Sequence, residues 1–261
     1  MEQTITKEKL EQFQREFHEE KRNEAAMHAV TANGLYASSQ DNEAARRMRH
    51  VFSVSLKQGE VTNQQQSGRC WMFAALNVFR FEVIKKLNLE TFELSQNYTL
   101  FYDKLEKANY FLESILETLD EPTNGRLISF LLSAPMNDGG QWDMMVSIVK
   151  KYGIVPATVM PETEQSCNTR DVMRLINTKL RKDAAELRGL VAAGKDTVAR
   201  KDEMLAELFK ALCICFGRPV DCFDFEYTDK DGVYHADRGL TPVSFYEKYI
   251  GMDLENYVSV I

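Results

Sequence analysis

No apolar run in this sequence reaches the roughly 18 residues that would mark a membrane-spanning helix, so no such span is expected. Cysteine is sparse. Cys70, Cys167, Cys213, Cys215 and Cys222 are odd in number, and their spacings build no disulfide framework. A basic excess is also lacking: the formal charge is −7, which argues against a nucleic-acid partner, although a local basic face is compatible with it. Residues Met1 to Glu24 are charged throughout and carry no apolar core of a secretory signal. These absences together lead us to expect a reduced, cytoplasmic protein. Histidine is scarce as well, with His18, His28, His50 and His235 the full set. The sequence has no internal repeat and no low-complexity segment.

What is present is a globular composition, 44% apolar and 27% charged over 261 residues, enough for one or two domains with a sizeable core. From Thr6 to about His28 the pattern is helical, with Thr6 as N-cap and Leu10, Phe13 and Phe17 on one face. Asn33-Gly34 closes it, and Asp41 to Arg49 reads as a second short helix. Val51 to Leu56 alternates and predicts a strand. Beyond Glu93, helices are expected over 96–107, with Ser95 as cap, and over 110–119, 126–133 and 143–151. The aromatic stripe of Tyr98, Phe101 and Tyr102 is read as core.

After Pro161 the chain is rich in charge. A helix over about 168–191, with Val172, Leu175, Ile176, Leu180 and Leu187 as its apolar face, is broken at Ala193-Gly194-Lys195. A second helix then runs to about Phe216, ended by Gly217-Arg218-Pro219. Val220 to Tyr227 and Val233-Tyr234-His235 flank the turn Asp229-Lys230-Asp231-Gly232 as a hairpin, and Thr241-Pro242 opens a last helix.

One stretch carries chemistry. Asn63-Gln64-Gln65-Gln66-Ser67-Gly68-Arg69-Cys70 is polar, and a strongly apolar run from Trp71 to Phe81 follows. This predicts a loop feeding a buried helix with Cys70 in its first turn. Two readings are open for that thiol. A free Cys is among the most buried residue types, so it can be structural. Alternatively, the positive end of the helix favours a thiolate, which is the attacking form of a Cys nucleophile. Gln64 could then bring a side-chain N–H2 back to the same point and, with the Cys70 N–H, form an oxyanion hole. Gly139-Gly140 likewise reads either as a tight turn using positive φ or as a place where a peptide backbone approaches closely.

Gln64, Gly68, Cys70 and Trp71 together resemble the nucleophile motif of papain-like cysteine peptidases. The earlier disulfide Cys of that motif is missing and Arg69 precedes the nucleophile. With Thr62-Asn63-Gln64 and Ser67-Gly68-Arg69-Cys70-Trp71, these departures point to the bleomycin hydrolase and bacterial aminopeptidase C branch. Asn137-Asp138-Gly139-Gly140 and Tyr152-Gly153-Ile154 follow in the family's order, whereas in Leu94-Ser95-Gln96 the Gln follows Ser directly, unlike the family spacing.

The resemblance implies an α+β fold, mostly helical here: the helical half of a papain-like fold. An N-terminal arm with a strand would span 1–60, the nucleophile-bearing half 61–161, and an inserted helical hairpin with the following β-hairpin and helix 162–261. It implies a cysteine aminopeptidase with Cys70 as nucleophile, Gln64 in the oxyanion hole, Trp71 supporting the nucleophile and Gly139 and Gly140 on the substrate backbone. Neither a metal nor a cofactor is expected. Peptides are the implied substrates and a homo-oligomer, a hexamer, the implied assembly.

Such chemistry also needs a His base and an orienting Asn. His18, His28 and His50 precede Cys70 on expected helices or a helix end. His235-Ala236 superficially resembles the family's catalytic His-Ala, but Asp237-Arg238-Gly239 follows as a polar turn where the family has an apolar strand. Asn256 is followed by Tyr257, where a Trp is expected. We therefore read His235 as non-catalytic. Since family members are much longer, the expectation is an N-terminal portion of such an enzyme, with the β-barrel half that supplies His and Asn largely absent. The alternative from another class is a non-catalytic scaffold or assembly piece. A thiol-redox or metal role for Cys213, Cys215 and Cys222 is disfavoured, because the first two point to different faces of one helix.

Overall fold

In the computed structural model, which describes residues 4–49, 51–56 and 58–257, the chain divides into two compact units, Met1–Leu56 and Lys57–Ile261. His50 and the last four residues of the apolar run 257–261 fall outside the described residues.

In the first unit Thr6 accepts the Lys9 N–H and opens α1 (Lys7–Glu19), as its position predicts. The single helix expected to reach His28 is instead two. Glu20 is extended (φ −99°, ψ 98°) and α2 (Lys21–Asn33) begins after it. Asn23 accounts for the break: its Nδ2 donates to Phe17 O at 3.1 Å, occupying a carbonyl that a continuous helix would give to residue 21. Gly34, at φ 81°, ends α2 before the single turn α3 (Leu35–Ser38). Asp41 caps α4 (Asn42–Arg47) through the Glu43 and Ala44 N–H groups.

The strand expected over 51–56 does not form. Alternation makes a strand only when a neighbour takes up the backbone N–H and C=O groups, and no such ladder exists for these residues among the described ones.

The second unit is built on α5 (Cys70–Lys86). After it come α6 (Gln96–Glu117), α7 (Arg126–Ser133), α8 (Trp142–Tyr152), the single turn α9 (Glu164–Cys167), α10 (Arg170–Ala192) and α11 (Val198–Phe216). A hairpin of β1 (Phe223–Thr228) and β2 (Tyr234–Leu240), then α12 (Pro242–Tyr249) and a 3-10 turn at Leu254–Asn256, complete the order. In α5 Met72, Phe73, Ala75, Leu76, Phe79, Val83 and Ile84 are all buried, while Cys70, Ala74 and Val78 lie along an exposed stripe. So wide an apolar face needs cover from several neighbours, and α6, α8 and α12 all pack on it.

The two helices expected over 96–107 and 110–119 are one, α6. Ala108 and Asn109 between them include no breaker, and burial runs on through Ala108, Phe111, Leu112 and Ile115. Ser95 caps it as predicted, accepting the Tyr98 N–H at 3.0 Å. The aromatic stripe is largely core, with Tyr98 and Phe101 buried and Tyr102 partly buried against them. The charge-rich hairpin lies along α6, which contacts both α10 and α11. Val172, Ile176, Leu180 and Leu187 are buried there, whereas Leu175, also expected on that face, is 58% exposed. Asn97, itself fully buried, ties the start of α6 to the end of this hairpin by donating to Pro161 O and Phe216 O at 2.8 and 2.7 Å.

Gly153 shows why a Tyr-Gly-Ile sequence ends α8. Its φ is +72°, and a Cβ there would lie 2.2 Å from the Pro242 carbonyl carbon. That close approach seats α12 against α8, with Ile154 N–H donating to Pro242 O at 3.2 Å. The hairpin forms, antiparallel with Tyr227 opposite His235 and an irregularity between Phe223 and Phe225. Asp237-Arg238-Gly239, expected as a polar turn, instead lies within β2, where β1 supplies a partner and Asp237 pairs with Phe225.

Candidate active site

Cys70 is the first residue of α5 and is exposed, so it is not a buried structural thiol. The first-turn N–H groups of α5 have no intrahelical partner and form the positive end of its dipole. No acidic residue sits in that turn to offset the field. Three other thiols are partly buried. Burial pushes the Cys167, Cys213 and Cys215 thiols up, and at Cys167 the Glu162 carboxylate adds to the shift. Among the described residues no group of three or more His, Cys, Asp or Glu could hold a metal ion.

The loop before Cys70 is held on two sides. Arg69, fully buried, places its guanidinium on Glu162 with two parallel bonds of 2.9 and 2.8 Å. Its Nε donates to Ser67 Oγ at 2.8 Å, and Ser67 Oγ donates to Gln64 O at 2.6 Å. A bidentate Arg–carboxylate pair fixes orientation as well as distance, which a Lys would not. On the other side Gln66 N–H donates to Cys167 O at 2.9 Å and Thr169 N–H to Gln66 O at 3.4 Å, a short parallel bridge to the segment after α9. Gln65 takes a left-handed φ of 54°, uncommon for a residue with a side chain, and its N–H is caught by Asn63 Oδ1 at 2.8 Å. Gln64 and Cys70 are thus the two ends of one braced loop. The Gln64 Oε1 atom is buried without a hydrogen-bond partner among the described residues.

Trp71 and Gly140 meet. A Cβ on Gly140 would lie 2.5 Å from Trp71 Cε2, so only glycine admits the indole at this distance. Neither Gly139 nor Gly140 has positive φ, which overturns the tight-turn reading; at Gly140 the requirement is space. Gly139 is open, with its nearest such neighbour at 4.0 Å. The Gly139 carbonyl accepts from Lys107 Nζ at 2.6 Å, while Gly140 N–H and C=O have no backbone partner among the described residues. Both glycines line a cavity of about 660 Å³ together with Phe111, Phe130, Met136 and Met144. Cys70 and Gln64 are not in its lining.

Beneath this loop lies a set of charges that the sequence did not single out. Lys104, fully buried, contacts Asp103 at 3.2 Å and Asp138 Oδ1 at 2.8 Å, and donates to Asn137 O at 2.9 Å. The Lys104–Asp138 contact is an ion pair off the line of an ideal hydrogen bond. Burial pushes the Asp103 carboxyl up, opposed by Lys104 and Lys107, and pushes the Lys107 ammonium down, opposed by Asp103. At Asp138 burial also raises the pKa, but Lys104, the Thr169 hydroxyl and the Gly68 N–H outweigh it and hold the carboxyl below its ordinary range. Arg69–Glu162 had only a faint signal in the sequence, a cation set directly before the Cys. Asp138 appeared only as a member of the Asn137-Asp138-Gly139-Gly140 segment, and Lys104 and Thr169 had no signal, because nothing local marks which distant charges will meet.

His235 is engaged inside its own hairpin. Its Nε2 lies 2.9 Å from Asp229 Oδ2 and its ring stacks on Tyr227 at 4.7 Å.

The Peptidase C1-like family model matches residues 4–261. The chain belongs to the Peptidase C1-like family. It is 48% identical over its full length to Aminopeptidase C of Listeria monocytogenes, of which it covers 59%. It is 49% identical over 91% of its length to Aminopeptidase C of Streptococcus thermophilus, covering 54% of that protein. The crystal structure of PepW from Lactobacillus rhamnosis HN001 superposes with a TM-score of 0.95 at 46% identity, over 98% of this chain and 58% of that one. This member of the family therefore spans little more than half the length of these relatives. Its mostly helical architecture with one small hairpin is the helical half expected of a papain-like fold.

Proposed function

We propose that this chain carries the nucleophile-bearing half of a cysteine aminopeptidase that removes N-terminal residues from peptides. The observation that carries this is the exposed Cys70 thiol at the first position of a buried helix, on a loop locked by Arg69 and Glu162. Relatives named Aminopeptidase C support the reading. Cys70 Sγ, as thiolate, attacks the scissile carbonyl carbon. A C–S bond forms and the carbonyl π pair moves to oxygen, where the Cys70 N–H and the Gln64 side-chain N–H2 receive it. Collapse breaks the C–N bond, and the amine leaves with the proton that a base took from the thiol. Water then cleaves the thioester. Gly140, whose backbone groups have no backbone partner among the described residues, and Gly139 bind the substrate main chain, and Trp71 supports the nucleophile. The base and its orienting Asn belong to the part of the relatives' length that this chain does not span. A cytoplasmic, homo-oligomeric enzyme, hexameric in the pattern of its branch, completes the proposal, with residues 61–161 as the nucleophile-bearing half.

The test is turnover of aminoacyl-amide substrates by the full-length enzyme. Cys70→Ala is expected to lose it, and retained turnover sinks the assignment. One observation favours the second reading, a non-catalytic scaffold: His235, downstream of the nucleophile, is tied to Asp229 and Tyr227. Rapid stoichiometric labelling of Cys70 in residues 1–261 by a thiol-directed peptidase inhibitor, together with turnover, defeats that alternative.

A further inference from the structure

Four segments of the second unit converge on Asp138. Its main-chain oxygen accepts the Trp71 indole N–H at 2.9 Å, one residue beyond Cys70. Its Oδ2 accepts the Thr169 hydroxyl at 2.7 Å, and Thr169 N–H in turn bonds Gln66 O within the nucleophile loop. Its Oδ1 faces the fully buried Lys104 ammonium of α6 at 2.8 Å. The fourth segment is the loop at Gly68, where a Cβ would stand only 2.5 Å from Asp138 Cβ. Only glycine at 68 lets that loop close onto Asp138. The acidic residue is therefore wedged between the nucleophile loop, the start of α5, the start of α10 and the middle of α6. It is also the residue immediately before Gly139-Gly140.

The chemistry of the junction is directional. An ionised carboxylate accepts from several donors at once and offers none. Here the donor is the Thr169 hydroxyl, the Gly68 backbone closes against the carboxylate, and Lys104 is the neutralising charge. Lys104 also takes Asn137 O, and Lys107 takes Asn137 O and Gly139 O at 3.1 and 2.6 Å, so the backbone on both sides of Asp138 is pinned. A buried cation held this way cannot be left without its partner cheaply. Moving Asp138 would move Trp71 and the Gly-Gly segment relative to Cys70.

The geometry points to Asp138 as a positioning residue for acyl transfer at Cys70, acting through Trp71, Thr169 and the Gly139-Gly140 segment, with Lys104 as its fixed counter-charge. This rests on the cysteine-peptidase reading above. Asp138 touches no reacting atom in that scheme; its effect is to hold the nucleophile and the substrate-backbone groups in one frame. Misplacement of reacting groups by about 1 Å can cost the chemical step about 100-fold.

The experiment uses the full-length enzyme with its active sites counted. A stoichiometric irreversible thiol-directed inhibitor titrates competent Cys70, and kcat is expressed per titrated site. Asp138→Asn is expected to titrate like the parent while kcat per site falls about 10- to 100-fold, with KM changed less than about threefold. Thr169→Val removes one hydroxyl bond, keeps the main-chain bond to Gln66, and is expected to lower kcat per site by at least about threefold. A merely structural role would reduce the number of titratable sites and leave kcat per site unchanged. If Asp138→Asn does not fold, Thr169→Val decides alone. A fall of less than about threefold per site in the folded variants overturns the proposal. Failure of the parent reading is separable, because it appears as turnover that survives Cys70→Ala.

Discussion

The indole N–H of Trp71 donates to the main-chain oxygen of Asp138 at 2.9 Å. That bond joins the residue after the candidate nucleophile to the segment that ends in Gly139-Gly140. The indole is enclosed further by Gly140 against its ring atoms and by Lys107, whose Nζ lies 5.5 Å from the ring centroid. Trp71 is thus a spacer whose position is set by three distant residues. Two expectations follow from this and neighbouring contacts, and a third from the charges between α10 and α11.

Gly140→Ala places a methyl 2.5 to 2.7 Å from the Trp71 ring. Overpacking of this kind costs about 1–3 kcal/mol. Gly139→Ala meets nothing closer than 4.0 Å and needs no positive φ, so its cost should stay within about 0.5 kcal/mol. Urea unfolding of the two variants checks the contrast. Equal stabilities would show that the close approach to Trp71 is not what demands glycine at 140.

Glu162→Gln leaves the Arg69 guanidinium buried with a neutral, weaker acceptor. Breaking a buried pair in this way costs roughly 3 kcal/mol, near the lower end for such pairs because Glu162 is 33% exposed. Arg69→Lys should also destabilise, since a point charge cannot span both carboxylate oxygens and Ser67. The measurement is the urea midpoint at constant m-value. A loss below about 1 kcal/mol in Glu162→Gln would mean that Arg69 is adequately solvated without its partner.

Acid should loosen the α10–α11 pair. Lys179 and Arg200 hold the Glu207 carboxyl down, from 4.5 to about 2, and Arg200 holds Glu186 below its ordinary range. A carboxyl with a lower pKa in the folded state binds fewer protons there than when unfolded. Its contribution is therefore fully present above the unfolded value of 4.5 and is lost as pH falls toward about 2. Glu207 is exposed and Glu186 only partly buried, so the effect should shrink in high salt. Urea midpoints between about pH 5 and pH 2.5 should fall less steeply in Glu207→Gln than in the parent, and identical slopes would remove Glu207 from the account.

Much of the helical order was legible because its causes are local. Thr6, Asp41 and Ser95 cap the helices that their positions announce, and Gly34 and Gly217 end helices at positive φ. The strongly apolar run from Trp71 to Phe81 predicted a buried helix, and with it Cys70 at the helix start. Where local signals misled, a non-local or competing bond decided. Asn23 divides the first helix by taking Phe17 O, and the alternation of 51–56 finds no partner strand. The break expected between 107 and 110 is absent because burial continues through it.

The sequence by itself determined the helix that presents Cys70, the family it resembles and the presence of a Gly-Gly segment downstream. Periodicity and capping act over one or two turns, and a short motif carries its own spacing. Only the tertiary structure decided that Cys70 is exposed and that Gly140 is glycine to admit Trp71. It alone brought Asp138 between Lys104, Thr169 and the nucleophile loop. The physical reason is range: charges and close backbone approaches between distant segments have no local pattern, and they exist only once α5, α6 and the start of α10 have packed together.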